Sequence, residues 1–146
     1  MKKIMLVCAA MVAVGMLSSC ERFAVGTTKY VNNTNHTITI IGNSYRQYHF
    51  TLKPNSDTLF HEGTGGMAPQ SIEEHFMGMI RDGIGIGCKI QYDDGRTIEY
   101  SFPTDTALEF SIYNFHASNL SHSLRDNGWI SEFVYTLTED QYETAE

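Results

Sequence analysis

The sequence predicts a mainly β fold: antiparallel sheets arranged like a β-sandwich, one short helix near residues 71–80 and a short C-terminal helix. Three observations predict it. Short runs of alternating apolar and polar residues recur along the chain, clusters of Asn, Asp, Gly and Pro separate them, and only two stretches switch to a helical period.

Lys29 to Asn32 is the first expected strand, closed by the turn cluster Asn32-Asn33-Thr34-Asn35. Thr37 to Ile41 sets Ile38 and Ile40 against Thr37 and Thr39. Tyr48, Phe50 and Leu52 alternate with His49 and Thr51 until Lys53-Pro54-Asn55-Ser56 stops the run, and Thr58 to His61 forms a short strand. Ser71 and Glu74 have capping-box spacing, and Ile72, Phe76, Met79 and Ile80 share one helical face.

The stretch from Gly83 to Phe102 alternates most regularly. Ile84, Ile86, Cys88, Ile90 and Tyr92 share one face of a strand, and Gly83, Gly85, Gly87, Lys89 and Gln91 share the other. A two-residue Asp94-Gly95 loop would put Ile98, Tyr100 and Phe102 on the wrong face. A three-residue loop, Asp93-Asp94-Gly95, pairs Ile90 with Ile98, Cys88 with Tyr100 and Ile86 with Phe102, and leaves Gly95 in the left-handed position of a G1 bulge. Leu108 to Tyr113 reads as a further strand. Phe115 to Gly128 reads as a polar loop with a helical turn near Leu120 and Leu124. Trp129, Phe133, Tyr135 and Leu137 mark the last strand, and Thr138 to Ala145 reads as an acidic helical tail with Thr138 and Gln141 at capping spacing.

The N-terminus defines an address. Lys2 and Lys3 precede an apolar run from Ile4 to Leu17, shorter than the roughly 20 residues of a membrane-spanning helix, so residues 1–19 read as an export signal. Leu17-Ser18-Ser19-Cys20 resembles the lipobox cut by the lipoprotein signal peptidase, and the resemblance implies diacylation of the Cys20 thiol and acylation of its freed amine. Stable anchoring takes two lipid signals, so a multiply acylated Cys20 would hold the chain to a membrane. The domains are then a signal at 1–19, a lipidated tether at 20–28 and a β-sandwich-like domain at 29–146.

Two of the ten Lys and Arg leave with the signal, so the remainder is more acidic than the formal charge of −7 of the whole chain. No basic stripe remains, which argues against nucleic acid and anionic lipid head groups as partners, because phosphate binding needs clustered cations. Cys8 lies in the signal and Cys20 takes lipid, which leaves Cys88 alone in an apolar alternation, as a small buried hydrophobe without a disulfide partner.

The lipobox, Val31-Asn32-Asn33-Thr34, Leu52-Lys53-Pro54-Asn55-Ser56, Tyr92-Asp93-Asp94-Gly95 and the ending Tyr135-Thr136-Leu137-Thr138-Glu139-Asp140-Gln141-Tyr142 resemble the small lipoproteins abundant in Bacteroides-type gut bacteria. The resemblance implies an outer-membrane or cell-surface location and a β-sandwich-like fold, and brings no activity with it. Such bacteria O-glycosylate exported proteins at Asp-Ser/Thr followed by an aliphatic or similar residue, and Asp57-Thr58-Leu59 and Asp105-Thr106-Ala107 are similar to that site, with Thr58 and Thr106 as the acceptors.

The remaining chemistry is sparse. His61-Glu62, Glu73-Glu74-His75 and the pair His116 and His122 lack the spacing of a zinc site. Ser71, Ser121 and Ser123 have His nearby but no Gly-x-Ser-x-Gly elbow, Asp93 and Asp94 fit turn chemistry, and Gly83, Gly85 and Gly87 lie along a strand where a phosphate loop would open a helix. No cofactor is expected. Aromatic residues outside the predicted apolar faces, Tyr45, Tyr113 and Phe115 together with Trp129, are candidates for stacking on sugar rings. The reading is a lipid-anchored envelope module that binds a glycan, with a structural subunit pairing through an exposed strand edge as the alternative and a hydrolase third.

Overall fold

The computed structural model describes residues 24–44, 48–65, 71–125 and 129–146. The signal, Cys20 and Tyr45 lie outside the described residues. Period-two burial organises what is described: in β1 (Ala24–Asn32), Gly26, Thr28, Tyr30 and Asn32 are buried, and in β8 (Ile130–Leu137), Ser131, Phe133, Tyr135 and Leu137 are buried. The strands between are β2 (Ile38–Gly42), β3 (His49–Leu52), β4 (Ser56–Gly65), β5 (Gly87–Tyr92), β6 (Thr97–Ser101) and β7 (Leu120–Arg125). They form two four-stranded sheets, ordered β4-β1-β8-β7 and β3-β2-β5-β6, in a β-sandwich-like fold.

Every described pairing is antiparallel except that of β1 with β8, which runs parallel from Val25 opposite Ile130 to Asn32 opposite Leu137. The apolar faces meet in one core. Tyr30, Phe133, Tyr135 and Leu137 come from the first sheet, and Ile38, Ile40, Leu52, Cys88, Ile90, Tyr92 and Tyr100 from the second. Phe50 of β3 and Phe60 of β4, with ring centroids 4.4 Å apart, join the two sheets along one side.

The first strand begins earlier than the pattern predicts: residues 24–28, expected as tether, belong to β1. A Cβ on Gly26 would stand 2.8 Å from His75 Nε2 and 2.9 Å from Met79 Sδ, so this strand lacks a side chain where helix α1 (Ile72–Gly83) lies on it. The glycine that admits the helix also erases the alternation. In α1, the Ser71 side chain accepts from the Glu74 N–H, and Phe76, Met79 and Ile80 are buried, as the capping and periodicity predict.

The β5–β6 hairpin has the predicted register, with Ile90 opposite Ile98 and Cys88 opposite Tyr100, and Gly95 adopts φ +95°. Its approach differs from prediction. Gly83 belongs to α1, Gly85 has φ +98°, β5 starts at Gly87 and Ile86 is exposed.

Two further expectations are corrected. Leu108 to Tyr113 is a run of turns: the N–H groups of residues 108, 111, 114, 117 and 120 each donate to the carbonyl three residues earlier. Local i to i+3 bonds satisfy this backbone without a partner strand. Leu120 to Arg125, expected as loop with a helical turn, is β7, because Val134, Phe133 and Tyr135 of β8 offer it a ladder.

Helix α2 (Glu139–Glu143) follows, with the Thr138 hydroxyl accepting from the Gln141 N–H. The Gln141 side chain does not reach back to complete a capping box. It is buried, and its amide nitrogen donates to the hydroxyls of Tyr135 at 2.7 Å and Tyr100 at 3.2 Å, tying the tail to both sheets.

Candidate functional site

The turn ribbon that leaves β6 passes beside α1 and leaves a cleft of about 300 Å³ between them. Its aromatic lining is Phe102, Tyr113 and Phe115, with His116 at one side, and Glu73, Thr106 and Asn114 supply polar atoms. The local sequence explains each position. Phe102-Pro103 ends β6 because proline donates no ladder hydrogen bond. The Asn114 amide nitrogen donates to the Leu108 carbonyl at 2.9 Å, and its oxygen accepts from the His116 N–H at 2.9 Å, which fixes the ribbon around Phe115. Glu73 lies in the first turn of α1, where a carboxylate is favoured by the helix dipole.

The aromatic rings differ in what they can offer. Tyr113 is 1% exposed and its hydroxyl donates to the Gly85 carbonyl at 3.1 Å, so its ring is cleft wall and has no face open for stacking. Burial pushes its phenol above the ordinary range, with the Cys88 thiol and Asp105 adding to the effect. Phe115 is partly exposed, with Phe76 at 5.6 Å behind it and His122 at 5.0 Å beside it. Phe102, also partly exposed, carries the Arg81 guanidinium 5.5 Å from its ring centroid. Trp129 is not in the cleft: it precedes β8, and its carbonyl accepts from the Val25 N–H at 2.8 Å. Of the three predicted stacking residues, Tyr113 and Phe115 therefore meet and Trp129 stands apart. The sequence pattern places Phe102 on a strand face, offers Glu73 only within the Glu73-Glu74-His75 grouping, and does not single out Arg81. An aromatic residue directly before a proline at a strand end is the signal that could have found Phe102.

Thr106 lines the cleft, with its hydroxyl donating to the Pro103 carbonyl at 3.1 Å, and its neighbour Asp105 accepts from the Ser101 N–H at 2.7 Å. Thr58 is partly exposed on β4, beside Asp57, which pairs with Lys29 at 2.7 Å.

Other polar groupings hold the fold together. Asp93 accepts from the Thr37 N–H at 2.9 Å and contacts His36 Nδ1 at 3.0 Å, while Asp94 accepts from the Arg96 N–H and from the Tyr142 hydroxyl. His36 in turn stacks on Tyr142 at 4.0 Å, so the two aspartates fasten the hairpin to the β1–β2 turn and the tail. His75 Nδ1 meets the Ser131 hydroxyl at 3.0 Å, but Ser131 is 1% exposed. Cys88 is buried among the tyrosines, and burial pushes its thiol up to about 12. Among the described residues no three His, Cys, Asp or Glu side chains are grouped to hold a metal, and no helix is long and apolar enough to cross a membrane.

Fold and site together define a two-sheet β protein with a shallow aromatic cleft at the turn ribbon. No family model, curated protein or solved structure matches the chain.

Proposed function

We propose that this protein is an envelope or cell-surface module, held to its membrane by lipid on Cys20, that binds a saccharide in the cleft between α1 and the ribbon. The single observation carrying the reading is the composition of that cleft. Partly exposed Phe102 and Phe115 stand beside Glu73, Thr106 and His116 in a space of about 300 Å³. A sugar ring presents an apolar C–H face and a rim of hydroxyls, which suits apolar rings flanked by a few polar groups.

The test is binding of the protein to an array of bacterial, plant and host glycans, followed by titration of any ligand found. Phe115→Ala is expected to weaken binding by about tenfold, the equivalent of about 1.4 kcal/mol. A wild-type protein that binds no glycan, or a Phe115→Ala variant that binds as tightly as wild type, overturns the reading.

A specific observation favours a second reading, assembly through a strand edge. Edge strand β7 is exposed along Ser121 to Arg125, including Leu124 at 51%. Among the described residues no strand pairs with its outer edge, which suits β-augmentation by a partner strand. Recovery of a stoichiometric envelope protein by the wild type and its loss in Leu124→Asp would favour assembly over saccharide binding.

A further inference from the structure

We infer that Trp129 and Arg125 form a foot that rests in the lipid head-group layer, so that the sandwich stands on its anchored end. The inference rests on the reading of Cys20 as the lipidated residue. Only residues 21–23 separate Cys20 from Ala24, where β1 begins. Whatever their conformation, four peptide steps reach no further than about 14 Å, whereas the interfacial zone on each side of a bilayer is itself about 5–7 Å deep. The start of β1 therefore lies within about 10 Å of the head-group layer.

Sheet register then determines which residues share that confinement. Trp129 stands directly beside Val25, and β7 ends there too, with the exposed Arg125 opposite Ile130. A partly exposed indole and a guanidinium at this level match the side chains that settle at membrane interfaces: one has an apolar body with a polar N–H, the other an apolar stem whose charged head stays in water. The charges at the opposite pole complete the orientation. Strand β1 runs away from the anchor to Asn32, and near that end the tail and hairpin collect Asp93, Asp94, Glu139, Asp140 and Glu146, which outnumber Arg96 beside Asp94. Resting on its foot, the domain holds this acidic pole away from anionic head groups, about 25 Å up the strand.

Trp129 is the single tryptophan of the chain, which makes it its own reporter. Acylated full-length protein is reconstituted into phosphatidylcholine vesicles with and without bromine on the acyl chains, and the number of acyl chains on Cys20 is read by intact mass on the same sample. The expected result is a blue-shifted emission that brominated chains quench, because an interfacial indole sits at head-group level beside the acyl chains. The double variant Trp129→Phe/Asp140→Trp, which moves the indole to an exposed position at the acidic pole, is expected to show no quenching. Acylated protein whose Trp129 is indifferent to bromine, or quenching that follows the indole to position 140, overturns the foot while leaving the anchor standing. An unacylated Cys20 removes the anchor and the foot with it.

Discussion

Replacing Gly95 isolates the energetic cost of the β5–β6 turn. Gly95 has φ +95°, and a Cβ built there meets no heavy atom within 4 Å. The surroundings therefore charge nothing, and the whole penalty is backbone strain, about 1–2 kcal/mol for an L-residue in the left-handed region, with β-branched Val at the upper end. The hairpin has no cheaper escape. Slipping to a two-residue turn would turn Ile98 and the buried Tyr100 outward, each costing about 1.5–3 kcal/mol of apolar burial.

Gly95→Val should thus lower the urea midpoint by the equivalent of about 1–2 kcal/mol with an unchanged slope, or Tm by about 3–8 °C. Gly95→Asn should lose less, because Asn tolerates the left-handed region. Gly42→Ala calibrates the scale from the other side. Its Cβ would stand 2.4 Å from the Ile84 carbonyl oxygen, so backbone must move, at a cost of about 1–3 kcal/mol from crowding alone. A Gly95→Val protein that melts with wild type would refute the register argument, and a changed slope would show that more than the turn had been altered.

Other expectations concern titration and access. Burial holds the His75 pKa below its ordinary 6.5, so the unfolded chain takes the proton more readily; the resulting stability is fully present above pH 6.5 and declines as pH falls below it, and His75→Gln should flatten that decline in unfolding curves. The Thr37 N–H, then His36, hold the Asp93 carboxyl below its ordinary 3.8, so its contribution is present above pH 3.8 and lost on further acidification; Asp93→Asn should make the acid limb shallower. Cys88 should ignore a thiol reagent in the folded protein and react stoichiometrically in denaturant; fast labelling of the native state would contradict its burial. Gln141→Ala should cost about 2–3 kcal/mol, because it empties a buried site and leaves two tyrosine hydroxyls without their donor, measurable in the same urea series.

Local rules that act within a few residues were legible in the sequence. The Ser71 cap, the Phe76, Met79 and Ile80 face, and the parity of the Asp93-Asp94-Gly95 loop all appear as read. The failures share a cause: a partner distant in sequence. Ala24 to Thr28 looks patternless because Gly26 yields its place to His75 and Met79. Leu120 to Arg125 looks like polar loop because an edge strand exposed on both faces carries no alternation, and only β8 makes it a strand. The reverse error occurs at Leu108 to Tyr113, where apolar residues suggested a strand and Ser111 and Asn114 turned the backbone instead. Phe115 was legible as a binding candidate because it breaks the expected pattern. Phe102 was not, since a strand face accounts for it equally well.

The parallel pairing of β1 with β8 has a consequence for how the protein comes into being. The first strand out of any channel waits for the last one, since β1 lies between β4 and β8 and gains its second neighbour only when residues 130–137 have emerged. Contacts so distant in sequence form late, because the loop between them must be closed before they repay its entropy. A chain exported N-terminus first would cross as an open thread and lock shut only once β8 and the helix that carries Gln141 had followed it out.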